Sequence, residues 1–210
     1  MAYGLADAAN TNMDISIRNA GIDDAVLVAV LASTTFYESY SRQDESDNLA
    51  QYISESFAVA AIVDEIQDPT STFLIAYVDG KAVGYARLID YSTTDGVSSD
   101  RVIELRRIYI LERLWGTGIG EQLLTQCAKT ASERGFDTIW LGVWEENLRA
   151  RRFYDKFGFK QVGTLTFPYG DVVGINLVLQ KPNLNVYHRW AASSAPHSLI
   201  GCGVAVAASL

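Results

Sequence analysis

Gly116-Thr117-Gly118-Ile119-Gly120 follows an apolar, strand-like run and opens a helix-like one, and no other stretch is better suited to holding a ligand. Glycine lets backbone N–H groups approach an anion with no Cβ in the way, and a helix start adds unsatisfied donors and partial positive charge. A phosphate or diphosphate fits that arrangement; a tight turn without a ligand is the alternative reading of the same residues. Two nucleotide patterns fail on spacing. A Walker loop needs GxxxxGK[ST], and neither that spacing nor its lysine is present. A dinucleotide fingerprint needs GxGxxG directly after the strand. Counted from Gly116 its last position falls on Glu121, counted from Gly118 it falls on Leu123, and Leu111 to Trp115 separate strand from loop.

Other chemistries are narrowed by what the chain contains. The two histidines, His188 and His197, both lie near the C-terminus, which argues against a histidine triad or a multi-histidine metal site. No metal is expected. Cys127 and Cys202 cannot build a disulfide framework or a four-sulfur zinc site, and a reduced, cytoplasmic chain is the expectation. Cys127 reads as part of a helix's apolar stripe. The formal charge of −8 argues against general nucleic-acid binding, which needs a basic footprint. It suits the attraction of a small cation, although acidity for solubility alone explains it as well. Arg149, Arg151, Arg152 and Lys156 concentrate positive charge on one short segment; a solvated face is the commoner reading and contact with a phosphate the second.

The remaining residues must position that loop. At 210 residues, with 49% apolar and 20% charged side chains, one domain with a sizeable core is expected. A mean hydropathy of +0.06 and the lack of an apolar run near about eighteen residues argue against a membrane span. The start lacks the basic and apolar regions of a secretory signal. Ile15 to Arg18 alternates as a short strand. Ile22, Val26, Ala29, Val30 and Phe36 follow helical spacing, and a second helical stretch runs from about Asp47 to Gln67, ending before Pro69. Phe73–Val78 and Ala82–Leu88 flank Asp79-Gly80, a strong hairpin signal. A polar loop, Ser92 to Asp100, precedes a strand from Val102 to Ile110. The helix after Gly120 has the stripe Leu123, Leu124, Cys127, Ala128 and Ala131, with Gly135 as terminator. A strand at Ile139–Trp144, a short helix from Asn147 to Phe157 and two strands joined around Pro168 to Asp171 complete the order. That order reads as α+β, with one βαβ crossover at the centre of a mixed sheet. Residues 1–13 read as a flexible lead, 14–182 as the domain and 183–210 as a tail to which no role is assigned.

Two segments resemble signatures of the GNAT N-acetyltransferase superfamily. Glu104-Leu-Arg-Arg-Ile-Tyr-Ile-Leu-Glu-Arg-Leu-Trp-Gly-Thr-Gly-Ile-Gly-Glu-Gln-Leu-Leu124 is similar to its acetyl-CoA-binding segment, a strand followed by Arg/Gln-x-x-Gly-x-Gly/Ala and a helix. Trp140-Leu-Gly-Val-Trp-Glu-Glu-Asn-Leu-Arg-Ala-Arg-Arg-Phe-Tyr-Asp-Lys-Phe-Gly-Phe159 is similar to its N-x-x-A-x-x-F-Y-x-K-x-G-F signature. The likeness runs from about Ile15 to Gln180 and is nearest to bacterial polyamine (spermidine/spermine)-type acetyltransferases. It departs at Trp115, where the family carries arginine or glutamine; Arg113 lies nearby but outside the motif.

The resemblance implies a GNAT-like α/β/α fold, α+β with a mixed, mostly antiparallel sheet of about six to seven strands. Acetyl-CoA is the implied cosubstrate and a small amine the implied acceptor. Ile108, Tyr109 and Ile110 would then offer backbone groups to the pantetheine arm, Trp115, Gly116, Thr117, Gly118, Ile119 and Gly120 would hold the diphosphate, and Asn147 would bond the cofactor. Asn147 as a plain N-cap is the alternative. Tyr154 matches the tyrosine that protonates the departing thiolate, against a reading as core aromatic. Glu104 matches the general base of some members, against a carboxylate merely paired with Arg106 or Arg107. Acetylation of a protein N-terminus or lysine, and an acyl-CoA sensor without chemistry, are the competing functions. A homodimer is compatible with the resemblance.

Overall fold

The computed structural model describes residues 13–169 and 172–182. Within them, β1 (Ile15–Asn19) leads through a 3₁₀ turn into α1 (Ala25–Tyr40), α2 (Ser46–Ser56) and α3 (Val59–Gln67). Then follow β2 (Ser71–Val78), β3 (Lys81–Asp90), β4 (Val102–Ile110), a second 3₁₀ turn at Glu112–Leu114, α4 (Ile119–Glu133), β5 (Thr138–Trp144), α5 (Leu148–Lys156), β6 (Lys160–Tyr169) and β7 (Val172–Pro182). The expected lead before Met13, the tail after Pro182 and the turn at Gly170-Asp171 lie outside the described residues.

Seven strands form one sheet in the order β1-β2-β3-β4-β5-β7-β6. Every neighbouring pair is antiparallel except β4 and β5, joined by the α4 crossover. The α+β architecture expected from the sequence is thus the observed one. Asp79 and Gly80 both take positive φ, 49° and 73°, as a two-residue hairpin whose twist matches its strands requires.

The parallel pair determines where a ligand can go. β4 and β5 pair only at Val102↔Thr138, Ile103↔Ile139 and Glu104↔Trp140. Beyond that point β4 stays with β3 as far as Ile110↔Gly84, and β5 stays with β7 as far as Trp144↔Asn176. The inner edges therefore diverge while both outer edges remain paired. A bulge accompanies the divergence: Arg87 faces Arg107 and Leu88 faces Leu105, which leaves Arg106 as the extra residue of β4. Bulges bend and twist the strand that carries them.

Two apolar layers cover the sheet. Leu123, Leu124, Cys127 and Ala131 of α4 pack with Ile103, Leu105, Ile108 and Ile110 on one face. Val28, Ala32 and Phe36 of α1, Leu49 of α2 and Ile62 of α3 pack with Tyr85 and Tyr109 on the other. The α4 stripe is the one its spacing predicts, and Gly135, at φ 86°, closes the helix.

Two expectations need correction. α1 turns a different face inward from the one its spacing suggested: Ile22, Val26 and Val30 are exposed, while Ala25, Val28, Leu31, Ala32, Thr35 and Tyr40 join Ala29 and Phe36 in the interior. A run as apolar as Ala25-Val-Leu-Val-Ala-Val-Leu-Ala32 has no unique stripe, so the packing partner chooses the face. The second helical stretch is two helices, broken at Phe57-Ala58 with Ala58 extended (ψ 142°). Phe57 is buried there, edge-on to Phe36 at 5.5 Å and to Tyr52 at 5.6 Å. Those contacts outweigh the helical propensity of the local sequence.

Candidate active site

Glu104, Ile108 and Ile110 lie along β4, the strand that borders the divergence. Leu111 N–H donates to the Val83 carbonyl at 2.9 Å. Strand alternation then turns the backbone groups of Tyr109 toward β3 and those of Ile108 and Ile110 toward the open side. The two isoleucine side chains enter the α4 layer and the Tyr109 ring enters the α1 layer. Of the three residues assigned to pantetheine, Ile108 and Ile110 thus face the gap with their backbone, while Tyr109 borders it from the opposite layer.

The glycine loop follows at the end of β4. Gly116 and Gly118 adopt φ of 76° and 89°, Gly118 as the N-cap of α4, and a Cβ on either would meet no atom within 4 Å. The loop is open on its outer side, as a cradle for an anion must be. Thr117 Oγ1 donates to the Leu114 carbonyl at 2.7 Å, and the buried Ile119 anchors the helix start. Trp115 is tied down by its Nε1, which donates to the Ile110 carbonyl at 2.8 Å. The guanidinium of Arg149 lies 3.8 Å from the centroid of its ring. Spacing gave no signal of that pairing, because the two residues belong to separate motifs.

α5 brings in the second signature. Asn147 is its N-cap, accepting from Ala150 N–H at 3.0 Å, the structural reading of that residue. At the other end Phe159 N–H donates to the Tyr154 carbonyl at 3.0 Å, across Gly158 at φ 83°. Tyr154 is held edge-on by Phe153 and Phe159, with centroids at 5.4 Å in both pairs. Its ring is fully buried, and its hydroxyl has no hydrogen-bond partner among the described residues. Burial holds that hydroxyl well above the usual tyrosine range, reinforced by Cys127 of α4 and Tyr40 of α1. Tyr154 packs in the α4 layer of the core, with Cys127, Ala150 and Phe159. An unpaired buried hydroxyl costs stability, so a tyrosine there is ill explained as packing alone. Cys127 is buried, and burial pushes its thiol far up, away from nucleophilic use.

Glu104 stands where β4 and β5 still pair. Its Oε2 accepts from Ser92 Oγ at 2.5 Å and from Arg106 Nη2 at 2.7 Å, while Oε1 is buried without a partner. Trp140 Nε1 donates to the Ser92 carbonyl at 2.6 Å and steadies that loop. The expected pairing with Arg106 is present; Arg107 is engaged elsewhere, by Glu65. Burial raises the Glu104 carboxyl, opposed by Arg106 and Ser92. Ser92 was read only as part of a polar loop, since its role depends on where β4 returns.

The residues present fit a coenzyme A thioester: an open N–H cradle, a strand edge left unpaired beyond Glu104, and on α5 a buried donor with no partner among the described residues. The sequence profile of the acetyltransferase (GNAT) family matches residues 29–159. An uncharacterised N-acetyltransferase of Mycobacterium tuberculosis is 35% identical over 147 residues, covering 70% of this chain and 90% of that protein. The spermine/spermidine N(1)-acetyltransferase of Bacillus subtilis is 32% identical over 92 residues, 43% of this chain and 60% of its own. The crystal structure of the PaiA N-acetyltransferase from Thermoplasma acidophilum, in complex with coenzyme A, superposes with a TM-score of 0.66 at 23% identity, covering 81% of this chain and 99% of that one. The chain belongs to the acetyltransferase (GNAT) family and is an N-acetyltransferase with acetyl-CoA as cosubstrate. Among the described residues no cluster of three histidine, cysteine, aspartate or glutamate side chains could hold a metal, and no helix is long and apolar enough to cross a membrane.

One prediction tests the loop. Gly118→Asp puts a carboxylate on the open side of the cradle, at a φ that also strains an L-residue. Coenzyme A affinity in titration calorimetry is expected to fall by more than about tenfold, the scale of one lost charge-assisted contact. Wild-type affinity in a folded variant would remove the loop from the binding site.

Proposed function

We propose that residues 14–182 form an acetyltransferase domain that acetylates a primary amine, a small cationic amine of the polyamine kind, by direct attack with Tyr154 as general acid and Glu104 as general base. The observation that carries this reading is the buried Tyr154 hydroxyl, which has no hydrogen-bond partner among the described residues.

Acetyl-CoA supplies an activated acyl group and a thiolate leaving group. Backbone N–H groups of the 116–120 loop hold its diphosphate, and the backbone of Ile108 with the N–H of Ile110, whose carbonyl already accepts from Trp115 Nε1, bonds the pantetheine arm as an added strand would. Tyr109 lines the arm from the α1 layer, Trp115 starts the loop, and Asn147 borders the cofactor from α5 while capping its helix. Oε1 of Glu104 accepts a proton from the ammonium, directly or through water. As the new N–C bond forms and the C–S bond breaks, the Tyr154 proton passes to sulfur; the second proton lost by the nitrogen restores the tyrosine, and the one taken by Glu104 is released to solvent.

The acceptor reading rests on rings and charge. Tyr40 lies 6.2 Å from Trp144, and Tyr52 lies 6.2 Å from Phe167, which gathers aromatic faces from α1, α2, β5 and β6 beside the end of β5. Such faces attract ammonium groups, and a formal charge of −8 favours their approach. Thiol release from acetyl-CoA, measured over a panel of polyamines, amino acids and peptide N-termini, tests this directly. Highest kcat/KM on a neutral or acidic acceptor would sink the polyamine reading, and no acceptor-dependent release with any amine would favour a sensor.

The Glu104 role has its own test. Because burial raises its carboxyl, the acid limb of kcat/KM is expected above the ordinary glutamate range of about 4.3, with activity lost as pH falls through it. Glu104→Gln is expected to lower kcat by about 10²–10⁴ and abolish that limb. A limb that persists in the variant belongs to another group.

A further inference from the structure

Counted on Gly118 and Gly120, the position where the family's pattern carries arginine or glutamine is Trp115, and Arg113 meets that pattern only in the register of Gly116 and Gly118, so position 115 itself brings no cation to a diphosphate. The fold brings one from elsewhere. The bond from Trp115 Nε1 to the Ile110 carbonyl fixes the indole plane, and the Arg149 guanidinium stacks on it at 3.8 Å. Arg149 is exposed in the first turn of α5 and makes no hydrogen bond or ion pair among the described residues. Of the other basic residues on α5, Arg151 Nη1 donates to the Glu145 carbonyl at 2.7 Å and Lys156 pairs with Glu121 of α4, while Arg152, exposed like Arg149, makes no hydrogen bond or ion pair among the described residues. Glu112, the carboxylate that acts on Arg149 through space, is itself bound by Arg42 at 2.7 Å. A guanidinium centred over an aromatic ring makes no hydrogen bond to it and keeps its N–H fork available, and that fork matches phosphate oxygens. The next residue along the chain from Trp115 is Gly116, the start of the open cradle.

We propose that Trp115 and Arg149 act as one diphosphate-binding unit: the tryptophan orients the arginine, and the arginine provides the charge that the loop position lacks. The proposal rests on the acetyl-CoA reading of residues 116–120 and adds a specificity-determining residue from α5. Of the two sequence readings of Arg149, a solvated face and contact with a phosphate, it takes the second and assigns the contact to the diphosphate in place of the ribose 3′-phosphate.

Titration calorimetry with coenzyme A, dephospho-coenzyme A and pantetheine separates these readings, with thermal melting as a fold control. Arg149→Ala is expected to weaken coenzyme A and dephospho-coenzyme A equally, on the order of tenfold for one charge-assisted contact, and to flatten the salt dependence of both. Pantetheine, which lacks the diphosphate, should bind as to wild type. Trp115→Ala should act in the same direction, and the double variant should be no weaker than the weaker single one, since each residue works through the other. Arg149→Lys should recover only part of the loss, because an ammonium keeps the charge without the stacked fork. Unchanged affinities in Arg149→Ala would overturn the proposal. So would a loss confined to coenzyme A, which would assign the arginine to the 3′-phosphate, or an equal loss for pantetheine, which would mark general damage. Wild-type protein that binds neither nucleotide would defeat the underlying cofactor reading itself, an outcome visible before any variant is compared.

Discussion

Tyr154→Phe is expected to lower kcat by about 10²–10⁴, or roughly 3–5 kcal/mol of transition-state stabilisation, while leaving coenzyme A binding and thermal stability near wild type. The substitution keeps the ring, and with it the edge-on contacts to Phe153 and Phe159. It removes a buried hydroxyl that has no hydrogen-bond partner among the described residues, so no hydrogen bond within them is lost. Removing an unsatisfied buried group is neutral or mildly stabilising by itself. Activity and stability should therefore separate cleanly. The decisive measurement is single-turnover acetyl transfer beside a melting curve. A variant that melts early with its chemistry intact would make Tyr154 a packing residue. One with a wild-type chemical step would hand the proton to water or another group.

The second large effect concerns the scaffold behind the site. Glu65 of α3 reaches two arginines of the sheet. Its Oε2 accepts from Arg107 Nη1 at 2.6 Å and its Oε1 from Arg107 Nη2 at 3.0 Å, while Arg87 Nη1 lies 2.5 Å from Oε1. Arg87 and Arg107 are only 8% and 6% exposed. Burial pulls Arg87 down to about 10, and Glu65 is the main charge opposing that shift. Glu65→Ala would leave two buried guanidinium groups without their carboxylate, a change that costs about 3–5 kcal/mol when one partner of a buried pair is removed. For a chain of this size that is a fall in Tm of roughly 6–20 °C. Arg107 also lies 5.0 Å from the Phe57 ring, so the break between α2 and α3 should loosen with it. Urea denaturation gives the number. A loss below about 1 kcal/mol would mean that water reaches the arginines and the cluster contributes little.

The sequence by itself determined the features whose physics is local. Asp79-Gly80 specified a hairpin because both positions must take positive φ. Gly116, Gly118 and Gly135 marked the two ends of α4, and the α4 stripe appeared at its true positions because polar residues interrupt it often enough to define a face. The two signatures named the family and pointed to Tyr154, Glu104 and the loop, since motif residues keep their order whatever surrounds them. Tertiary structure decided what depends on partners distant in the chain. It chose the buried face of α1, where local apolarity was too uniform to choose, and it broke α2 from α3 so that Phe57 could pack on Phe36 and Tyr52. It put Ser92 on the Glu104 carboxylate and left Arg106 as the bulge beside it. It set Arg149 over Trp115, a pairing that no spacing along the chain signals. In each case the deciding energy comes from a contact between segments that become neighbours only when the sheet closes, and no window along the chain contains both sides of it.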